Sequence, residues 1–247
     1  MHRPPLTARL SHAARTTLAA AAVLTALAAC QSAPTGAGTG DTETPQSVPA
    51  AEIATATGDE VDVFAEKAGA KADSTLGSPN ELGADRTFLV ERNDGDWLKV
   101  LLPVRPNGST GWVKADQVKL STTTLRVEID PDAFTFAVHD GAKEIRSGKI
   151  GTGTGKTPTP PGRYFLTELL EPPDPGGDYG AYAFGLSGFS ETLETFAGGP
   201  GQLAVHGTND NGDLGREVSH GCIRVSDKDI TWMAEKLPLG TPVEIAG

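Results

Sequence analysis

Short apolar runs separated by turn residues fill this chain from residue 58 onward. Leu125, Val127 and Ile129 alternate with polar residues, and Asp130-Pro131-Asp132 then turns the chain. Alternation with a period of two is the pattern of a β-strand that buries one face. Because similar runs recur as far as Val243 to Ile245, with Gly or Pro between many of them, the sequence predicts a mostly β fold.

One segment near the C-terminus departs from this pattern and predicts a helix. Ser226 is suited to its N-cap, Asp229 can reach back to that cap, and Pro238 ends the segment. Its apolar residues recur at helical spacing, at Ile230, Met233, Ala234 and Leu237. We therefore expect one late helix in an otherwise β domain.

The first 29 residues have the order of a signal peptide. Three arginines form a basic region, and the apolar run that follows, Thr16 to Ala29, is too short to span a bilayer. The run ends in Leu27-Ala28-Ala29 before Cys30, which resembles a lipobox, where the cysteine takes a diacylglycerol before cleavage. We expect residues 1–29 to be removed and lipidated Cys30 to anchor the protein to the membrane, extracytoplasmic and facing the cell wall. Ordinary cleavage that leaves a free Cys30 is the alternative.

Small and polar residues dominate the segment that follows the leader. Residues 30–57 have almost no large apolar side chain, so burial cannot offset the entropy of ordering them. The sequence therefore predicts a flexible tether over residues 30–57.

The chain has two cysteines, and their count alone permits a disulfide between Cys30 and Cys222. If Cys30 carries the lipid, Cys222 remains a thiol. An unpaired thiol outside the cell needs a reason, and catalysis is one.

A tight turn and two tryptophan-bearing strands mark residues 58–121. Asn93 to Asp96 is the turn, Trp97 begins one strand, and Gly111-Trp112-Val113 lies in another. This arrangement resembles a bacterial SH3-like domain, which implies a small β-barrel. The resemblance suggests wall or peptide binding through Trp97 and Trp112, while packing in the core is the alternative that we favour for Trp112.

Charge and missing motifs exclude several classes of function. The formal net charge is -11 and no basic cluster is present, which argues against binding to nucleic acid. The glycine-rich stretch Gly151 to Thr157 has Ile150 where a phosphate loop needs glycine, and three prolines after it forbid the required helix. Serine acyl-enzyme signatures, His-Glu-x-x-His and cysteine-rich zinc sites are absent. We therefore expect no metal and no cofactor.

Two short stretches carry candidate chemistry. Val205 to Asn209 reads Val-His-Gly-Thr-Asn, and Ser219 to Arg224 reads Ser-His-Gly-Cys-Ile-Arg. A thiol attacks as its thiolate, and a histidine within hydrogen-bond reach can take the thiol proton and return it to a leaving amine. The N–H groups near Gly221 and Cys222 could hold an oxyanion.

Paired in this order, the two stretches resemble the active-site signature of the YkuD-type L,D-transpeptidase catalytic domain. Gly155 to Tyr164 also resembles the Thr-Pro-x-Gly segment of that family. The resemblance covers residues 123–246, and we assign residues 122–247 to the catalytic domain. It implies a β-sandwich-like domain with the one late helix described above.

The resemblance also implies roles for individual residues. Cys222 would be the nucleophile and His206 the general base and acid, oriented by the backbone carbonyl of Gly207. Gly221 and His220 complete the predicted catalytic set, with a supporting role for His220.

Substrate contacts are expected from Arg224, Ser219 and Tyr182. Arg224 would hold a substrate carboxylate with both arms of its guanidinium. A surface charge beside Asp227 is the alternative for Arg224, and packing in a core strand is the alternative for Tyr182.

The implied activity is the formation of 3→3 cross-links between peptidoglycan stem peptides. The enzyme would release D-alanine from a tetrapeptide stem, hold the acyl group on Cys222 as a thioester, and pass it to an amine of a neighbouring stem. An L,D-carboxypeptidase that uses water, and a non-catalytic wall-binding lipoprotein, are the alternatives. We further expect a His206 imidazolium to lower the pKa of Cys222. Residues 170–201 are expected to form a lid, mainly through Tyr179 and the stretch from Gly188 to Gly201.

Overall fold

The computed structural model describes residues 49–247. The predicted signal peptide, lipidated Cys30 and most of the predicted tether lie outside the described residues. The last part of the predicted tether is wrong, because Ala51–Ala56 forms strand β1. Ile53 is buried there, and β1 is paired antiparallel with a neighbour on each side, which the small residues around Ile53 did not predict.

Residues 51–123 form an N-terminal module of seven strands. Five of the strands make an antiparallel sheet in the order β6-β5-β4-β1-β7, while β2 and β3 pair separately. A buried core includes Phe88, Leu98 and Val113. The strands after β1 are β2 (Glu60–Val63), β3 (Ser74–Gly77), β4 (Thr87–Asn93), β5 (Trp97–Leu101), β6 (Thr110–Lys114) and β7 (Val118–Thr123).

Both tryptophans of the N-terminal module take part in packing. Trp112 is buried, with the Arg92 guanidinium 4.7 Å from its ring centroid. Trp97 is half-buried and meets Phe64 edge-on, with the ring centroids 4.9 Å apart. These contacts agree with the packing alternative, and an SH3-like identity of the module stays a prediction.

Residues 124–247 form a C-terminal module around one eight-stranded mixed sheet. The strand order is β10-β9-β8-β17-β12-β13-β14-β16, and β11 and β15 pair separately. The strands are β8 (Leu125–Asp130), β9 (Thr135–Asp140), β10 (Lys143–Lys149), β11 (Thr152–Gly153), β12 (Gly162–Leu170), β13 (Ala183–Phe189), β14 (Gln202–His206), β15 (Glu217–Ser219), β16 (Ile223–Arg224) and β17 (Pro242–Ile245).

The helix α1 (Asp227–Lys236) is the only α-helix in the part of the chain that the structure describes. Ser226 caps it, since its hydroxyl oxygen accepts from the Asp229 N–H at 3.2 Å. Ile230 and Met233 are buried in the core of the C-terminal module, as the helical spacing predicts. The prediction of a mostly β fold with one late helix is thus confirmed. No helix between residues 49 and 247 is long and apolar enough to cross a membrane.

The two modules share a small apolar cluster and belong to one compact unit. Leu89 and Leu101 of the N-terminal module pack with Phe165 of β12, and all three are buried. An ion pair between Arg163 and Glu91, with 3.8 Å between nitrogen and oxygen, also joins the modules. The predicted boundary at residues 121 and 122 falls inside β7 and stays a prediction.

Candidate active site

The two sequence stretches meet because β14 and β16 lie side by side in parallel. Val205 pairs with Ile223 and His206 with Arg224, and the side chains of Val205 and Ile223 are buried in the core. Cys222 comes directly before β16. Val205 and Ile223 thus hold the two strands in the core. The neighbouring residues His206 and Cys222 are brought close together at the β16 edge of the sheet.

His206 is held in one orientation by its own backbone neighbour. Its Nδ1 lies 2.7 Å from the carbonyl oxygen of Gly207. Since a carbonyl oxygen can only accept, Nδ1 carries the proton and Nε2 keeps a free lone pair. The side chain is only 3% exposed, and burial lowers the pKa of His206 to about 4. At neutral pH the imidazole is therefore an uncharged base.

Cys222 is also held in its uncharged form. It carries no disulfide among the described residues, and burial raises the pKa of its thiol, although a backbone hydrogen bond from Ala204 opposes the rise. The directions of both shifts oppose the expected thiolate–imidazolium pair. The physical reason is desolvation, which disfavours the charged form of each group.

A tight turn presents Cys222, and Ser219 holds that turn together. The Ser219 hydroxyl donates to the carbonyl oxygen of Cys222 at 2.6 Å and accepts from the Gly221 N–H at 3.1 Å. Ser219 borders the cavity, but its hydrogen-bonding groups are used inside the turn. Ser219 therefore acts as a positioning residue for the turn, and its substrate contact stays a prediction.

Thr159 braces the same turn, and the sequence reasoning missed it. Its hydroxyl donates to the carbonyl oxygen of Gly221 at 2.9 Å and accepts from the Gly153 N–H at 2.9 Å. The signal was available, because Thr159 begins the Thr-Pro-x-Gly segment, but nothing in that segment alone says what it contacts.

Gly221 shapes the backbone rather than offering a free N–H. Its N–H is already used by Ser219, so of the two predicted oxyanion donors the Cys222 N–H remains the candidate. The Gly221 φ of 121° lies in the region that favours glycine. A Cβ at this position would also come within 3.1 Å of the Leu203 side chain.

Gly207 and Gly180 let two chain segments touch behind the histidine. A Cβ on Gly207 would lie 2.1 Å from Asp227 Oδ1 and 3.0 Å from the Cα of Gly180. This close approach brings the segment before β13 against the end of β14. As a result the Tyr179 ring lies beside the His206 ring, with the centroids 4.8 Å apart.

Arg224 borders the cavity, but it is already paired. Its Nη1 donates to Asp213 Oδ2, which also accepts from the Thr208 hydroxyl at 3.2 Å. The surface-charge alternative placed Arg224 beside Asp227, whereas the structure pairs Arg224 with Asp213. Within the described residues, the buried Nε of Arg224 has no hydrogen-bond partner. Contact with a substrate carboxylate stays a prediction for this residue.

Tyr182 does not border the cavity, and its predicted substrate contact stays a prediction. Its side chain packs against the core of the C-terminal module, while its backbone oxygen accepts from the Gly207 N–H at 3.1 Å. Tyr179 takes the place beside His206 instead. His220 is exposed at the cavity rim, where its ring centroid lies 5.0 Å from that of Phe196.

A cavity of about 150 Å³ joins these groups. Cys222, His206 and Arg224 line one side of it. The connection between β13 and β14, residues 190–201, lines another side through Ser190, Leu193 and Phe196, and we call it the cover loop. The predicted lid segment thus borders the thiol, with Tyr179 and the cover loop as its contacting parts.

Comparison with known proteins finds similarity to L,D-transpeptidases. The model of the YkuD L,D-transpeptidase catalytic domain matches residues 124–245. The YkuD protein of Bacillus licheniformis is 28% identical over 154 residues, covering 60% of this chain and 85% of that protein. The YkuD protein of Bacillus subtilis is 32% identical over 128 residues, covering 47% and 70%. A solved L,D-transpeptidase from Mycobacterium smegmatis is 18% identical, with a TM-score of 0.42 and coverage of 64% and 80%.

Proposed function

The chain belongs to the family of YkuD-type L,D-transpeptidase catalytic domains, and from this we propose that it forms 3→3 peptidoglycan cross-links through a thioester on Cys222. The observation that carries the proposal is the cavity that Cys222 shares with His206, whose Nδ1 is held by Gly207. Because Nδ1 is engaged, Nε2 is the nitrogen that can exchange a proton with the thiol.

Acylation begins from the neutral pair. Cys222 Sγ attacks the carbonyl carbon of the bond between diaminopimelate and D-alanine, while His206 Nε2 takes the thiol proton. Since a buried ion pair is disfavoured before attack, proton transfer accompanies the formation of the carbon–sulfur bond. The oxyanion then collapses, the carbon–nitrogen bond breaks, and the imidazolium returns the proton to the amine of D-alanine. A thioester on Cys222 remains.

Transfer reverses these roles. A neutral amine from a second stem attacks the thioester carbonyl, and His206 Nε2 takes the proton that this amine gives up. The carbon–sulfur bond breaks, and the imidazolium reprotonates the departing sulfur. The product is a 3→3 cross-link and the free enzyme. Water in place of the amine gives a tripeptide, which is the carboxypeptidase alternative.

The anchor and the wall-facing location remain part of the proposal. Lipidated Cys30 would hold the enzyme at the membrane while the C-terminal module meets the stems. Metabolic labelling with a fatty acid should mark the wild type and leave Cys30→Ala unlabelled. Equal labelling of both proteins would remove the anchor from the proposal.

One incubation separates the three functions. With a disaccharide-tetrapeptide substrate, mass spectrometry should detect cross-linked dimer and free D-alanine with the wild type and neither with Cys222→Ala. Free tripeptide without dimer would favour carboxypeptidation. No product at all, from a wild-type protein whose Cys222 still reacts with iodoacetamide, would favour the non-catalytic alternative.

A further inference from the structure

Arg105 of the N-terminal module reaches across to the cover loop beside Cys222. Its Nη1 donates to the backbone oxygen of Ser190 at 2.6 Å. Its Nη2 donates to the backbone oxygens of Leu193 and Pro200, each at 2.9 Å. The Arg105 guanidinium thus donates hydrogen bonds to three carbonyl oxygens of a loop in the C-terminal module.

The two carbonyls that share Nη2 come from opposite arms of the cover loop. Leu193 lies early in the loop and Pro200 near its end. The loop also has contacts of its own, since the Ser190 N–H donates to the Gly201 oxygen at 2.8 Å and the Leu193 N–H to the Ser190 hydroxyl at 3.1 Å. Phe196 and Gly199 exchange two further backbone hydrogen bonds, of 3.0 and 2.9 Å, near the tip of the loop. Arg105 adds a bridge between the arms from outside the loop, through Leu193 and Pro200.

Asn107 fixes the point where the cover loop begins. Its Oδ1 accepts from the Phe189 N–H at 2.8 Å, and its Nδ2 donates to the Phe189 oxygen at 2.8 Å. This is the pair of bonds that a neighbouring strand would make with the last residue of β13. The Arg105 guanidinium also lies 5.0 Å from the Phe189 ring centroid.

The other end of the cover loop has an indirect link to the N-terminal module. Gln202, the first residue of β14, donates to Glu168 Oε1 at 2.9 Å. Asn80 of the N-terminal module donates to Glu168 Oε2 at 2.8 Å. Burial raises the pKa of the Glu168 carboxyl, and its partners come from both modules. The loop is therefore held from the N-terminal module at both of its ends.

Arg105 lies on the connection between β5 and β6, next to the contact between the two modules. Leu101, the last residue of β5, belongs to the buried cluster that joins the two modules. The connection from β5 to β6 is closed by a hydrogen bond from the Leu102 N–H to the Ser109 oxygen at 2.8 Å. The hydrogen bond and the buried cluster thus restrain the backbone that carries the Arg105 guanidinium.

We propose that Arg105 and Asn107 are positioning residues that hold the cover loop against the cavity of Cys222 and so favour transfer of the acyl group over its hydrolysis. The inference rests on the proposed transpeptidase function. The cover loop carries Leu193 and Phe196 into the cavity wall, and Phe196 contacts the ring of His220. Release of the loop would widen a cavity of about 150 Å³ and admit water to the thioester.

The test compares Arg105→Ala and Arg105→Lys with Arg163→Ala in the full chain. Arg163→Ala is the matched control, because it removes a charged contact between the modules that involves neither the cover loop nor the cavity. Each protein receives disaccharide-tetrapeptide, and the ratio of cross-linked dimer to free tripeptide is measured. We expect the ratio to fall about threefold or more in Arg105→Ala and less in Arg105→Lys, while total D-alanine release stays within about twofold. Arg163→Ala should keep the wild-type ratio.

A second measurement does not depend on catalysis. The rate at which iodoacetamide alkylates Cys222 should rise in Arg105→Ala and stay unchanged in Arg163→Ala. If the wild type makes no product, the proposed function fails, while the alkylation rates still report on the position of the loop. Should Arg105→Ala fail to fold, Asn107→Asp replaces it, since this change keeps the acceptor to the Phe189 N–H and removes the donor. A folded variant with unchanged product ratio and unchanged alkylation rate would overturn the proposal.

Discussion

The imidazole Nδ1 of His206 lies 2.7 Å from the carbonyl oxygen of Gly207, the next residue in the chain. In many triads a carboxylate from elsewhere in the fold orients the histidine and stabilises its charged form. A backbone carbonyl orients the ring without a full negative charge. Burial lowers the pKa of His206 to about 4, and the hydrogen bond to the uncharged Gly207 carbonyl opposes this shift only in part.

Carbapenems should acylate Cys222, as the family resemblance implies, because their strained amide offers an electrophile to the thiol. Intact-mass measurement is expected to detect one adduct on the wild type. Digestion should place that adduct on Cys222, and Cys222→Ala should have none. An adduct that persists in Cys222→Ala would show that another group is the nucleophile.

The pH dependence of alkylation should report a neutral resting pair. Burial raises the pKa of Cys222, so its rate of reaction with iodoacetamide should have a midpoint above that of a free cysteine. Removal of the ring in His206→Ala should not move the midpoint upward, because no imidazolium stabilises the resting thiolate. A midpoint below that of a free cysteine, shifted upward in His206→Ala, would restore the ion pair.

Stability should depend on His206 at mildly acidic pH. The folded pKa of about 4 lies below the ordinary 6.5, so the unfolded chain binds a proton first as the pH falls. The contribution of neutral His206 to the free energy of unfolding is complete above pH 6.5 and is lost as the pH falls to about 4. By pH 5 the loss should reach about 2 kcal/mol.

Denaturant unfolding of the wild type and His206→Gln measures this loss. The difference in free energy of unfolding between pH 7.5 and pH 5 should be smaller in His206→Gln by about 2 kcal/mol. Equal differences in the two proteins would mean that the imidazole is not buried in the way described.

Ser219→Ala should lower turnover through the geometry of the turn. The change leaves the Gly221 N–H and the Cys222 oxygen without their side-chain partner and should cost about 1 to 3 kcal/mol of stability. Because Ser219 positions Cys222, kcat should fall while KM stays near the wild-type value. A higher KM with unchanged kcat would instead support the original substrate-binding prediction.

Gly207→Ala should separate the two segments that meet behind His206. The added Cβ would face Asp227 Oδ1 at 2.1 Å and the Gly180 backbone at 3.0 Å, so we expect a loss of about 1 to 3 kcal/mol. Turnover should fall further than stability explains, since Tyr179 would move from the His206 ring. Gly155→Ala is the matched control, because a Cβ there meets nothing within 4 Å. Equal effects of the two substitutions on stability and turnover would contradict this interpretation.

The sequence predicted the parts of the site that short motifs and periodicity specify. The Cys222 and His206 stretches each combine a reactive residue with a buried apolar anchor, and α1 follows from the spacing of Ile230 and Met233. Local pattern determines these features, so residue order alone is enough to predict the helix and to place the two reactive residues on adjacent elements.

Contacts between segments that are far apart in the chain could not be predicted from such local patterns. Tyr179 and Tyr182 are close in sequence and alike in chemistry, and only the packing of Gly180 against Gly207 decides which ring lies beside His206. Ser219 has the chemistry of a substrate-binding residue, but closure of its turn uses the hydroxyl internally. Nothing in the sequence near Arg105 relates it to a loop almost ninety positions later.

The shared cluster of Leu89, Leu101 and Phe165 bears on how the chain folds during its synthesis. Synthesis delivers the N-terminal module first, and Leu89 and Leu101 then stay uncovered until Phe165 of β12 is available. The N-terminal module therefore gains part of its stability only when the C-terminal module folds against it. Thermal unfolding of the whole chain should show one cooperative transition. Cleavage of the chain between the modules would expose an apolar surface on each fragment, and the fragments would tend to aggregate.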